Sequence, residues 1–178
     1  SEAEKVVRDV REIVERLRDI VRKVVEENEE IVKRLRKLVT DLVEENKRTV
    51  EALRDLKRRR GREEELEKIA EDDKRRNEEV RKDLERIAKE VHDRNREVLK
   101  TIKRILDEVK ERLDDVRRRG VDEEILRRVE EEARRAAKEV EERIRTVNRR
   151  TEKVLEEVRK IVKDATDTSE KALREVRE

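Results

Sequence analysis

The chain has 178 residues, 58% of them charged and 32% hydrophobic, a composition that can leave too little apolar surface to offset chain entropy. Its 53 Lys and Arg interleave with 51 Asp and Glu, so a net charge of +2 excludes the like-sign repulsion that extends a chain. Cysteine is absent, which removes disulfides, thiolate metal sites and Cys nucleophiles, and no apolar run exceeds two residues, which removes a transmembrane helix or signal-peptide core.

What remains is helix-forming. Ala, Glu, Lys, Leu and Arg dominate beside Val and Ile, while Pro, Phe, Trp, Tyr and Met are missing. The two glycines, Gly61 and Gly120, cut the chain into nearly equal thirds. The reading is a soluble, all-α protein of one domain over 1–178: a single-chain, up-down-up bundle of three long, nearly straight antiparallel helices. No targeting signal is visible, so the localisation is unread.

The first predicted helix runs over about 2–60. Its apolar stripe is about 140° wide, the widest of the three. Pairs such as Glu12 with Arg16, Asp19 with Lys23 and Glu30 with Arg34 have the orientation that supports a helix. Gly61 can end this helix, but Arg62 offers no cap to the next, leaving Glu63, Glu64 and Glu65 to favour the positive helix start.

The second helix is predicted over about 62–119, and the third over about 122–177, each with a stripe about 120° wide. Gly120 can adopt the left-handed conformation that ends a helix, with Val121 reaching back to Val116. Asp122 then has the position of an N-cap, and Val121 with Leu126 the spacing of a hydrophobic staple. At 1.5 Å per residue each helix is roughly 87 Å long, and turns this short make neighbours antiparallel.

The repeat spans five helical turns and is not a heptad. Residues 66–83 match residues 84–101 at nine positions, including Leu66 with Leu84, Ile69 with Ile87 and Asn77 with Asn95. VEEN recurs at Val25 and Val43; Val129, Val147 and Ala165 align, as do Ala133, Thr151 and Ser169. A repeat that closes in a whole number of turns lets these helices stay straight, whereas strict heptads supercoil.

Polar residues interrupt the stripes at matched heights. About Gly61, Thr49 and Asp73 are equidistant, and Asn46 with Asn77, and Asn28 with Asn95, are equidistant to within one position. About Gly120, His92 and Asn148 are equidistant, while Asp73 falls between the distances of Thr166 and Ser169. Antiparallel folding therefore predicts two polar layers roughly 27 Å apart. One holds Asn28, Asn95, Asn148 and Thr151, edged by His92; the other holds Asn46, Thr49, Asp73, Asn77, Thr166 and Ser169. Asn46 and Asp73 are expected to meet, with Thr49, Asn77 and Ser169 as partners. Such layers fix register, because a wrong pairing leaves donors and acceptors unpaired.

The alternative, a pair of catalytic or ligand sites, lacks its chemistry. Asp73 and His92 stand roughly 28 Å apart on one straight helix and cannot share a proton. His92 is the only imidazole, and Lys89 stands where a Glu-x-x-His motif needs Glu, so neither a zinc nor a carboxylate metal site is expected. No enzyme activity and no cofactor are predicted. Without stacking aromatics or a basic strip, nucleic acid is not a predicted partner, and the RRR runs at 58–60 and 117–119 read as favourable charges at helix C-termini.

Three equal helices, the five-turn repeat and the Asn, Thr and Ser positions at matched heights make the chain resemble de novo designed helical bundles with modular buried hydrogen-bond networks. The resemblance spans the whole chain and implies a protein made for structural specificity, without a natural biochemical function. That family includes monomers, homo-oligomers and open bundles that accept a further helix; the wider first stripe favours the last two, a binding module that self-associates or recruits a designed helical partner. A spectrin-like repeat fits poorly without core Trp, as does a lipid-binding bundle without Trp, Phe or Leu-rich faces. No partner is required and no membrane contact is expected. Idealised helices and consistent patterning predict an unusually high melting temperature.

Overall fold

The computed structural model describes residues 1–178. It consists of three α-helices: α1 (Glu2–Arg59), α2 (Glu63–Arg118) and α3 (Glu123–Arg177). Each begins with glutamates and ends with basic residues, so side-chain charge opposes the helix dipole at both ends. No helix is long and apolar enough to cross a membrane.

The ends follow local chemistry closely. Ser1 caps α1, its Oγ accepting from the backbone N–H of Glu4 at 3.3 Å. Asp122 caps α3 as expected: its Oδ1 accepts from the N–H of Glu124 at 3.1 Å, and its carbonyl receives the N–H of Leu126. Gly120 before it is left-handed, with φ at 86°.

The first turn departs from expectation. The left-handed residue is Arg60, with φ at 54°, and not Gly61. Gly61 instead donates its N–H to Leu56 O at 2.9 Å, while the N–H of Arg60 points to Lys57 O at 3.4 Å, the bond pair of a Schellman motif. Gly61 is required there by space: a Cβ would sit 2.9 Å from Leu56 Cγ and closer still to Cδ1. Arg62 precedes α2 with no side-chain cap, its carbonyl alone receiving the N–H groups of Glu65 and Leu66.

The chain forms two compact units. The first comprises Ser1–Glu29 and Val91–Arg150; the second comprises Glu30–Glu90 and Thr151–Glu178. Each draws on all three helices and holds one turn and one chain terminus.

In the first unit the core is one continuous apolar cluster running from Val6 to Val24 on α1, Ile102 to Val116 on α2 and Leu126 to Ile144 on α3. Val121 packs against it, completing the staple with the fully buried Leu126. Ion pairs Asp9–Arg112 and Arg16–Glu108 join α1 to α2 in antiparallel order. The hydrogen bond from Arg112 to Asp9, and Asp9's charge, hold that guanidinium above its usual pKa.

In the second unit Leu53, Leu56 and Leu66 close the core around the first turn, with Ile69, Leu173 and Val176 against them. Arg34–Glu90 and Arg76–Glu45 join α1 to α2, and Arg159–Glu85 and Arg177–Glu67 join α3 to α2, both antiparallel. Lys57 Nζ donates to Glu175 O at 3.1 Å, which runs α1 parallel to α3. The exposed pairs among these contribute at most about 1 kcal/mol each, so the apolar stripes carry the fold.

Candidate functional site

The polar side chains on the core-facing stripes are the only set that composition and burial single out. In the second unit Thr49, Asp73, Asn77, Thr166 and Ser169 are buried, Ser169 completely, and Asn46 is half-buried. The arc of each stripe carries them inward, as it carries the leucines a turn away.

Their hydrogen bonds fall into two kinds. Thr166 Oγ1 donates to Val162 O at 2.9 Å and Ser169 Oγ to Thr166 O at 3.0 Å, both within α3. Asn77 Nδ2 lies 3.3 Å from Asp73 Oδ2, one turn away on α2. These bonds satisfy a buried group wherever its helix is placed, so they carry no information about register.

Two other interactions cross between helices. Asn46 Nδ2 donates to the backbone carbonyl of Ala165 at 2.8 Å, tying α1 to α3. Its Oδ1 is buried without a partner. Arg76 on α2 reaches α1, its Nη1 donating to Glu45 Oε2 at 2.8 Å and lying 3.4 Å from Thr49 Oγ1.

The structure therefore gathers the six expected residues of this set into one unit, but Asn46 bonds to backbone and not to Asp73. Arg76 and Glu45 were missed by the stripe pattern because both lie on its flank. Their signal was present: Arg76 lies as far past Gly61 as Asn46 lies before it, and Glu45 as far before it as Asn77 lies past.

Asn28, Asn95 and Asn148 belong to the first unit and Thr151 to the second. Asn28 and Thr151 are buried, whereas Asn95 and Asn148 are half-buried. Asn28 Nδ2 donates to Val24 O at 2.8 Å in its own helix, and Asn148 Oδ1 is buried without a partner. His92 is exposed, 3.4 Å from Arg96 Nη2. No group of three His, Cys, Asp or Glu side chains gathers in metal-binding range.

Both units also carry grooves. In the first, an open groove of about 880 Å³ runs between α1 and α3, floored by Ala3, Val7, Ile125 and Val129 and rimmed by charges of both signs, including Arg8, Glu12 and Glu132. In the second, α1 and α2 leave one lined by Leu38, Leu42, Val80 and Ile87.

These elements define a three-helix bundle with amide, hydroxyl and carboxylate groups on its core faces. Among solved structures the chain is similar to a computationally designed three-helix bundle, at 14% identity and a TM-score of 0.60, over 98% of this chain and 90% of that one. No protein-family model matches the chain. No curated protein matches it either.

Proposed function

We propose that this protein is a designed, non-enzymatic structural scaffold in which polar groups on the core stripes select one register of otherwise interchangeable helices. The observation that carries this reading is that Thr49 and Asp73, equally far from Gly61, are both buried, while the residues one repeat away from them, Ile31 and Val91, are buried and apolar. A five-turn apolar repeat packs nearly as well when shifted by one repeat, and the shift re-forms the Arg76–Glu45 pair with Arg94 or Glu27 and offers Asn46 another carbonyl, whereas it sets the buried Thr49 against Val91 or the buried Asp73 against Ile31. The resemblance to a designed bundle and the absence of aromatic, Met, Cys and Pro residues support the same reading.

The test is to replace Asn46, Thr49, Asp73, Arg76 and Asn77 together with fitted apolar residues and measure distances between spin labels on α1 and α2. A register-selecting role predicts retained helicity with a broadened or multiple distance distribution. One unchanged, narrow distance would refute it.

A second reading, a binding module, is favoured by the α1–α3 groove of the first unit, whose apolar floor is only half-covered. It predicts self-association or capture of an added amphipathic helix. Light scattering decides between the two: the mass of one chain at all concentrations supports the scaffold, and a multiple of it supports the module.

A further inference from the structure

We propose that the second unit, Glu30–Glu90 with Thr151–Glu178, opens on its own while the first stays folded, making it a built-in mobile half of the bundle. The units contain equal numbers of residues, and each holds one turn and one terminus, so fraying at ends does not distinguish them. Their interiors do. Nineteen of the buried apolar side chains belong to the first unit against twelve to the second, and six of the seven buried polar ones belong to the second. Apolar burial is the main favourable contribution to folding, while a buried hydroxyl or carboxylate gains only the small net difference between its hydrogen bonds in the protein and those it gives up to water. Asp73 is the extreme instance: a carboxylate only 4% exposed, with the amide of Asn77 at 3.3 Å.

The turns point the same way, independently of the cores. The first unit's turn has Gly120 at its left-handed position, Asp122 as a cap and Val121 as a staple. The second unit's turn holds the left-handed conformation with Arg60, and Arg62 leaves α2 without a side-chain cap. Low apolar burial and weak turn chemistry in one contiguous set of segments are the features of a part that opens below the global unfolding limit.

Hydrogen exchange of the whole chain, read by mass spectrometry in graded sub-denaturing guanidinium, tests this. Setting aside the outermost turn at each end, amides of the second unit should exchange at least about tenfold faster than those of the first. A rate common to both units, or a faster first unit, overturns the proposal. A second arm uses Arg60→Gly with Arg62→Asp, which leaves both cores intact. It should slow exchange in the second unit by about threefold or more and leave the first unchanged. Equal slowing in both means that opening is global, and the proposal fails. Neither failure touches the register reading, which stands on the spin-label distances.

Discussion

Asn46 Nδ2 lies 2.8 Å from the carbonyl oxygen of Ala165, while Oδ1 of the same amide is buried with no partner. A satisfied network would make Asn46→Leu destabilising. The orphan oxygen reverses the sign. The substitution removes one neutral hydrogen bond, worth about 1 kcal/mol, together with an unpaired carbonyl costing about 1–3 kcal/mol. Leucine also adds apolar burial. Chemical denaturation should show the variant unchanged or more stable by up to about 2 kcal/mol, the difference between those two contributions. A loss above about 1 kcal/mol, the value of the hydrogen bond alone, would mean that Oδ1 has a partner in solution.

Thr166 and Asn77 should respond differently although both are buried. The Thr166 hydroxyl bonds to Val162 O, whose helix bond remains when the hydroxyl goes, so Thr166→Val should change stability by less than about 1 kcal/mol. Asn77→Leu takes the amide from the buried Asp73 carboxylate and should cost about 1.5–3 kcal/mol, the range for a hydrogen bond to a charged group. Equal effects in paired urea titrations would contradict this division.

Arg60 holds a left-handed conformation that costs an L-residue about 1–2 kcal/mol. Arg60→Gly should therefore raise stability by roughly 0.5–1 kcal/mol, reduced by the greater freedom of glycine in the unfolded chain. A fall in the denaturation midpoint would show that the Arg60 side chain makes a larger compensating contact.

The two glycines should part company under substitution. Gly120 has φ at 86° and open space around it, so Gly120→Asn, a residue that tolerates the left-handed region, should cost much less than Gly120→Ala. Gly61 is limited by the buried Leu56 side chain, so Ala and Asn should be similarly harmful there, by about 1–3 kcal/mol. Calorimetric melting of the four variants separates the two causes.

Adding the missing cap, Arg62→Asp, should give α2 what Asp122 gives α3, a gain of about 1 kcal/mol. The matching loss, Asp122→Ala, should be of similar size; if Arg62→Asp is neutral, the start of α2 is already satisfied by solvent.

The three helices, their stripes and the second turn were determined by the sequence, because each depends on neighbours within a few residues. Val121, Asp122 and Leu126 carry their roles in their spacing alone. The heights of Asn46, Asn77, Thr49 and Asp73 were legible for the same reason, since chain length from a turn fixes height along an antiparallel pair. What only the tertiary structure decided is where each polar atom finds its partner. Asn46 bonds to a backbone carbonyl that no side-chain pattern advertises, and Arg76 swings in from the flank of its stripe to Glu45. Thr166 and Ser169 turn back to their own helix. In the first turn the spacing pointed to Gly61 as the left-handed residue, but in the folded chain Arg60 takes that role and Gly61 leaves room for the Leu56 side chain. Periodicity fixes which face a residue occupies; the direction of a donor is set by the atoms packed around it.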